Sequence, residues 1–159
     1  MPDAPDIART LTSLGVTHVV WLPDSTIGPW EGALESAKGI DLVRVCREGE
    51  AWAVAAGLWI GGCRPIVMIQ NTGFFESGDA LRNVLKDMKV PLYAIVGYRN
   101  ALTEGSPDSA RKFTEPILDV WQIEYEILDH HRPIESFADH YRRCQSAGIA
   151  GIGLLPEGS

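Results

Sequence analysis

Paired cysteines, basic clusters and long apolar runs are all missing from this chain of 159 residues. Its three cysteines, Cys46, Cys63 and Cys144, contain no CxxC pair, which favours reduced thiols in the cytoplasm over a disulfide framework or a zinc site. A formal net charge of −7 argues against binding to nucleic acid or to an anionic membrane, because both need clustered positive charge. No run approaches the roughly 20 apolar residues of a membrane-spanning helix. We therefore expect one cytoplasmic domain over residues 1–159.

One carboxylate stands at the head of a segment that is otherwise small and apolar, from Arg47 to Gly57. Glu48 shares a helical stripe with Ala51 and Ala55, so another element can approach that face closely. A surface helix would carry more Lys, Gln and Glu, so the pattern indicates that Glu48 is held against a buried ligand or a partner chain. The alternative interpretation is a first-turn acid that satisfies free backbone donors of the helix.

Short apolar runs alternate with longer helical patterns along the chain, which is typical of a parallel α/β sheet. The runs predict six strands, at Thr17–Leu22, Asp41–Cys46, Pro65–Gln70, Pro91–Gly97, Glu124–Leu128 and Ile149–Leu155. The helical patterns lie at Ile7–Leu14, from Pro29 to about Lys38, and at Glu48–Ile60, Ser77–Met88, Ala110–Trp121 and Pro133–Gln145. Continuously apolar strands are expected where helices cover both faces of a sheet. The sequence thus predicts a three-layer αβα fold with a central, mainly parallel six-stranded sheet.

Four connections follow the carboxyl ends of predicted strands, where ligands bind in open parallel sheets. They are Pro23-Asp24-Ser25, Arg47-Glu48, the loop Asn71–Phe75, and a long irregular piece from Tyr98 to Ser109. Asp24 and Ser25 suit a pocket wall and an ordinary turn with a helix cap equally well. Four loops on one edge can build half of a pocket.

Several short motifs resemble one family, in the same order along nearly the whole chain. They are Leu22-Pro23-Asp24-Ser25, Arg47-Glu48-Gly49-Glu50-Ala51, Gly61-Gly62-Cys63-Arg64-Pro65 and Gln70-Asn71-Thr72-Gly73. The set resembles the pyrimidine-binding (PYR) domain of thiamine diphosphate enzymes, especially the alpha subunit of sulfopyruvate decarboxylase, and is similar to phosphonopyruvate decarboxylase. The resemblance implies the PYR-domain version of the αβα fold.

The resemblance also implies roles for individual residues. In that family a glutamate hydrogen-bonds a ring nitrogen of the cofactor's aminopyrimidine, and Glu48 fits the family's spacing to a following glycine, here Gly57. The implied cofactor-binding residues are Glu48, Asn71, Thr72, Gly73 and Phe74, and the implied substrate pocket contains Asp24, Ser25 and Arg99. A helix N-terminus favours an ionised carboxylate by less than ~1 kcal/mol, which cofactor contact and burial would have to outweigh.

Motifs for the other half of such an active site are missing from the sequence. Full-length relatives carry a second domain whose Gly-Asp-Gly motif and asparagine pair hold magnesium and the diphosphate. Here Gly78-Asp79 is the single Gly-Asp pair, and it lies inside a helical pattern. The resemblance implies that a separate beta subunit carries this diphosphate-binding (PP) domain and the magnesium. This chain would then hold no metal itself and would be inactive alone.

Two segments depart from the family pattern. Phe74-Phe75-Glu76 replaces the usual Leu-Gly-Asn, and Asp108–Phe113 replaces a run with Gln and Pro-Met-Gly. The two phenylalanines would make the pocket bulkier and less polar. The cations that could face an anionic substrate tail are Arg47, Arg99, Arg111 and Lys112, and spacing does not choose among them.

The implied function is that of the alpha subunit of a heteromeric 2-oxo acid decarboxylase, a carboxy-lyase that depends on thiamine diphosphate and magnesium. Its substrate would resemble sulfopyruvate or phosphonopyruvate. One alternative is a carboligase subunit that uses the same cofactor. Another is a non-catalytic partner or regulatory subunit that retains the fold, for which Glu48 would be dispensable.

Overall fold

A computed structural model describes residues 2–158 of the chain. Its helices are α1 (Ala4–Ser13), α2 (Glu31–Ser36), α3 (Glu48–Ile60), α4 (Asn71–Glu76), α5 (Gly78–Arg82), α6 (Ser109–Val120) and α7 (Pro133–Ala147). Its strands are β1 (His18–Trp21), β2 (Asp41–Arg44), β3 (Pro65–Gln70), β4 (Tyr93–Tyr98), β5 (Glu124–Ile127) and β6 (Gly151–Pro156). A 3-10 turn, Gly28–Trp30, leads into α2, and a π-helical turn, Asn83–Asp87, extends α5.

The six strands form one sheet in the order β2-β1-β3-β4-β6-β5, and every neighbouring pair is parallel. The predicted number of strands and the parallel arrangement are therefore confirmed. The central strands β3 and β4 are buried along almost their whole length, whereas the edge strands β2 and β5 are buried only in part. Helices must therefore cover both faces of the central strands.

Two hydrophobic cores lie on opposite faces of the sheet, as alternating side chains of the strands require. One core contains Trp52, Leu81 and Leu118, which belong to the layer of α3, α5 and α6. The other contains Leu11 and Phe137, which belong to the layer of α1 and α7. The expected three-layer αβα arrangement is thus confirmed.

The segment Asn71–Phe75 is a helix and not the predicted loop. Its Asn-Thr-Gly sequence suits a turn, but β3 passes directly into α4. Phe74 is buried beside Trp121, and the indole of Trp52 donates a hydrogen bond of 2.9 Å to the buried Ser77 hydroxyl just after α4. These tertiary contacts outweigh the local turn preference.

The stripe of small residues on α3 packs inside the chain itself. Ala51 and Ala55 are fully buried in the same core as Leu81 of α5. The elements that approach this stripe closely are therefore α4 and α5 of the same chain, which occupy that side of α3. A different face of α3, which includes Ala53 and Gly57, is exposed. Within the described residues, no helix combines the length and apolar character needed to cross a membrane.

Candidate active site at the start of α3

Glu48 begins α3 directly after the connection that follows β2. The preceding residue, Arg47, has extended backbone angles, and its side chain does not cap the helix. Glu48 is half-buried, so its carboxylate is neither sealed in the core nor fully surrounded by water. The first turn of α3 therefore places this carboxylate at the carboxyl edge of the sheet.

The side chain of Glu48 lies against the backbone of α4. A Cβ atom added to Gly73 would lie 2.2 Å from Glu48 Cγ and 2.3 Å from Glu48 Oε1, far inside the limit of non-bonded contact. Glycine is thus required at position 73 if Glu48 is to keep this position. Glu48 and Gly73, for which the resemblance implies cofactor-binding roles, are in direct contact.

The Glu48 carboxylate makes no hydrogen bond or ion pair within residues 2–158, although its acidic neighbours do. Glu50 accepts a hydrogen bond of 2.9 Å from the backbone amide of Cys46. Glu76, the last residue of α4, accepts one of 2.8 Å from the amide of Gly49. Glu48 is therefore the acid of this turn whose oxygens are available to a ligand.

Glu76 also binds the side chain of Arg47. One oxygen of Glu76 accepts hydrogen bonds from Arg47 Nε, at 2.9 Å, and from an Arg47 terminal nitrogen. The backbone bond from Gly49, followed by the bonds from Arg47, holds the pKa of Glu76 below its usual value. Arg47 is therefore engaged and is not a free cation for a substrate.

Other residues of the predicted cofactor site turn toward the interior. Asn71 is fully buried, and its amide nitrogen donates a hydrogen bond of 3.2 Å to the Thr114 hydroxyl of α6. The other amide atom, Asn71 Oδ1, is buried without a partner among residues 2–158. Phe74 is buried in the core, and Thr72 is half-buried. Cofactor contacts by Asn71, Thr72 and Phe74 remain predictions.

Asp24 makes the turn that follows β1. Its Oδ1 accepts hydrogen bonds from the amides of Thr26, at 2.9 Å, and Ile27, at 2.8 Å. Ser25 is exposed beside a cleft of about 680 Å³ that Glu157 also lines. The turn interpretation of Asp24 is confirmed, but the 3-10 turn Gly28–Trp30 and α2 both begin without a side-chain cap. A substrate role for Asp24 and Ser25 stays a prediction.

Arg99 forms an ion pair inside the loop that follows β4. Its Nε and a terminal nitrogen lie 2.8 and 3.1 Å from the two oxygens of Asp108. Asp108 also accepts bonds from Asn100 and from the amide of Ala110, which caps α6. The bonds from Arg99 and Asn100 hold the pKa of Asp108 well below its usual range. A substrate contact by Arg99, which would have to compete with Asp108, stays a prediction.

Two cations remain outside these pairs. Arg111 and Lys112, in the first turn of α6, have no carboxylate at ion-pair distance within the described part of the chain. They line a cleft of about 740 Å³ with Tyr98, Glu115 and His130. Sequence reasoning did not single out this cleft or the role of Asp108, although an acid just before a helix is a recognised capping signal.

No group of three metal-ligating side chains occurs among residues 2–158.

Comparison with known proteins identifies the family of this chain. Residues 4–123 match the family described as "Thiamine pyrophosphate enzyme, N-terminal TPP binding domain". The chain belongs to this family. The predicted PYR-domain fold and the predicted cofactor, thiamine diphosphate (also called thiamine pyrophosphate), are consistent with this assignment.

Curated relatives are named decarboxylases. The chain is 31% identical to phosphonopyruvate decarboxylase of Streptomyces viridochromogenes over an alignment of 133 residues, which covers 80% of this chain and 33% of that protein. It is 29% identical to the alpha subunit of sulfopyruvate decarboxylase of Methanocaldococcus jannaschii over 74% of this chain and 70% of that subunit. The alpha subunit of Methanococcus maripaludis is 26% identical, over 75% of this chain and 72% of the subunit. The chain thus spans a third of the phosphonopyruvate decarboxylase and most of each alpha subunit.

Proposed function

We propose that this chain is the pyrimidine-binding subunit of a thiamine diphosphate-dependent 2-oxo acid decarboxylase. The observation that carries this proposal is the Glu48 carboxylate, which is half-buried, rests on Gly73 and has no partner among residues 2–158. Such a carboxylate fits a ring nitrogen of the aminopyrimidine, because it can form a hydrogen bond without first breaking another. Family membership supplies the cofactor to which this bond would be made.

In this proposal the chain orients the cofactor and controls one proton. Thiamine diphosphate, when bound, supplies the electron sink for decarboxylation of a 2-oxo acid. Glu48 would hold a proton shared with the ring nitrogen, and Gly73 would keep the Glu48 side chain in place. The partly buried position excludes some of the water that would otherwise compete for this hydrogen bond.

A partner subunit would supply the PP domain, with the diphosphate site and magnesium. The names of the two sulfopyruvate decarboxylase relatives, each a "subunit alpha" of which this chain covers 70–72%, support this arrangement. The substrate would be a small 2-oxo acid with an anionic tail, as sulfopyruvate and phosphonopyruvate have. Arg111 suits that tail because it lines a cleft and has no carboxylate partner in residues 2–158. The three unpaired cysteines agree with a cytoplasmic location.

The first test is Glu48→Gln in the assembled enzyme. We expect turnover to fall by roughly 10²–10⁴-fold, the usual contribution of a positioned acid or base, while the folded state is retained. Glu50→Gln is the matched control, since Glu50 lies on the same turn but bonds to Cys46, and it should change turnover less than about threefold. Parental turnover in Glu48→Gln would overturn the proposal and favour a non-catalytic subunit.

Calorimetry with thiamine diphosphate and magnesium tests the division of the site between two subunits. We expect binding by the mixture of both subunits and none by this chain alone. Tight binding by this chain alone would contradict the divided site. Product analysis with and without an added aldehyde then separates a decarboxylase from a carboligase.

The exposed face of α3 is the surface that we assign to the partner. It presents Ala53, Gly57 and Ile60, and Ile60 is 64% exposed. A Cβ atom on Gly57 would meet nothing within 4 Å, so the chain itself does not need glycine at this helical position. Glycine inside a helix costs about 0.5–1 kcal/mol relative to alanine. Close approach of a partner would explain its presence.

Gly57→Ala should therefore raise the stability of the isolated chain and lower its affinity for the partner. We expect the isolated chain to gain about 0.5–1 kcal/mol in unfolding free energy, and affinity for the partner to fall about tenfold or more because close-packed surfaces tolerate added atoms poorly. Gly32→Ala is the control, because Gly32 is exposed in α2 with equal space around it. Equal association by the parent and Gly57→Ala would exclude this face.

A further inference from the structure

Two residues of α4, one helical turn apart, contact successive residues of the first turn of α3. Gly73 lies under the side chain of Glu48, and Glu76 accepts a hydrogen bond of 2.8 Å from the Gly49 amide. The two contacts are independent, because one is a steric fit and the other is a charge-assisted hydrogen bond. The position of Glu48 is thus defined from α4 at two points.

The start of α3 attracts negative charge for two reasons. Its free amides form the positive end of the helix dipole, and Arg47 stands directly before Glu48. Without another acid, the nearest free carboxylate would be that of Glu48. Glu76 instead binds both the Gly49 amide and the Arg47 guanidinium.

The other acids around this turn are engaged elsewhere. Glu50 bonds to the Cys46 amide, and Asp79 of α5 bonds to Arg82 and to Asn83. Arg47, Glu50, Glu76 and Asp79 together line one small open cavity of about 370 Å³ beside the first turn of α3. Of these acids, Glu76 alone has bonds to the donors that flank Glu48.

We infer that Glu76 is a positioning residue for Glu48: it caps α3 and draws Arg47 aside, so that the Glu48 carboxylate stays available to the cofactor. This inference rests on the proposed function of Glu48. Loss of Glu76 would release Arg47, whose guanidinium would then compete with the cofactor for the oxygens of Glu48. The effect of Glu76 on turnover should therefore depend on Arg47.

Two variants of Glu76 distinguish its hydrogen bond to the Gly49 amide from its negative charge. In the chain alone, Glu76→Ala should speed hydrogen exchange of the Gly49 amide about tenfold or more, since its hydrogen bond is lost. Glu76→Gln retains an oxygen acceptor and should preserve most of that protection. Glu135→Gln is the control, because Glu135 is an exposed first-turn acid of α7. Unchanged exchange of Gly49 in Glu76→Ala would overturn the capping role, whatever the activity of the enzyme.

The charge role is tested in the assembled enzyme with a double-mutant cycle. Glu76→Gln should lower kcat about tenfold, the scale of one competing charge-assisted hydrogen bond. Arg47→Gln alone should change kcat less than about twofold, and Arg47→Gln added to Glu76→Gln should restore most of the loss.

Failure of the double variant to recover, with Glu48→Gln inactive, would overturn the inference and leave the proposed function intact. If Glu48→Gln is fully active, the proposed function itself is wrong. The Tm of each variant is compared with that of the parent. An unchanged Tm excludes unfolding as the cause of a lower kcat.

Discussion

Glu48 and Asp24 each follow a strand at the carboxyl edge of the sheet, yet their carboxylates meet different surroundings. Asp24 accepts hydrogen bonds of 2.8 and 2.9 Å from two backbone amides of its own turn. Glu48 accepts no hydrogen bond within the described residues, because the nearby Gly49 amide donates its hydrogen bond to Glu76 of the next helix. An acid at the start of a helix is thus available for chemistry when another acid satisfies the local donors.

Two arginines near the carboxyl edge of the sheet are both paired with acids, but the two pairs have different consequences. Arg99 is held by two oxygens of Asp108 in the loop after β4, and Arg47 is held by Glu76. The first pair closes a loop and caps α6, whereas the second clears the space around Glu48. We therefore expect substitutions near Asp108 to change mainly stability and substitutions near Glu48 to change mainly turnover.

After Glu48→Gln itself, the largest effect is expected from Gly73→Ala, which changes the surroundings of the Glu48 side chain. The new Cβ would lie 2.2 Å from Glu48 Cγ, so the Glu48 side chain must move. A displacement of about 1 Å at a catalytic group can cost roughly 10²-fold in rate, and overpacking costs about 1–3 kcal/mol of stability. Steady-state kinetics and thermal unfolding measure the two effects.

Gly78→Ala is the matched control for that experiment. Gly78 begins the neighbouring helix α5, and a Cβ there would meet Trp121 at 3.6 Å, an ordinary contact. We expect turnover within about threefold of the parent. Full activity of Gly73→Ala would show that Glu48 does not need its observed position.

Substitution of Asp108 tests the expectation that the Arg99–Asp108 pair contributes mainly to stability. Asp108→Ala removes the α6 cap and the bonds to Arg99 and Asn100, so we expect a loss of about 2 kcal/mol in unfolding free energy. Asp108→Asn should lose less, because asparagine also caps helices well. Denaturant unfolding at pH 7 measures both variants.

The pH dependence of this loss has a defined sign. The pKa of Asp108 is lower in the folded chain than in the unfolded chain, mainly because of the Arg99 bond. The stabilisation is therefore fully present above the ordinary aspartate pKa of about 3.9 and is lost as the pH falls below it. A parent and an Asp108→Ala variant of equal stability at pH 7 would show that the Arg99–Asp108 pair contributes nothing.

The sequence predicted most of the fold because the fold depends on regular patterns. Buried runs such as 65–70 gave β3 directly, and the alternation of strands with helical patterns gave a parallel sheet. It did not predict α4, since Asn71-Thr72-Gly73 is good turn chemistry and its helix depends on Phe74 and on distant Trp52. Local propensity cannot report such long-range contacts.

The candidate site was predictable in part because some of its residues belong to motifs that resemble the PYR-domain family. Glu48 and Gly73 lie in two such motifs, and the structure brings these two residues together. The engagement of Arg99 by Asp108 and of Arg47 by Glu76 joins residues 9 and 29 positions apart. Spacing alone gives several candidate partners for each cation, so these pairs needed the three-dimensional structure.

The smallest effect is expected from Glu157→Gln, at the end of β6 beside Asp24. Glu157 Oε1 is buried without a partner among residues 2–158, and it would lie 2.7 Å from a Cβ on Gly97. Burial, followed by the nearby Asp24, raises the pKa of Glu157. Its charged form therefore destabilises the fold once the pH rises above the ordinary glutamate value of about 4.3.

Glu157→Gln removes this charge, so the variant should be slightly more stable than the parent at pH 7 and equal to it below about pH 4. We expect a rise in Tm of no more than about 3 °C, the shift that roughly 1 kcal/mol produces in a chain of this size. Thermal unfolding at several pH values measures it. A variant less stable than the parent at pH 7 would mean that the favourable interactions of the Glu157 charge, first with the Thr26 side chain and then with Arg99, outweigh its burial. The Glu157 charge would then have stabilising partners, in contrast to the Glu48 carboxylate, which has none among residues 2–158.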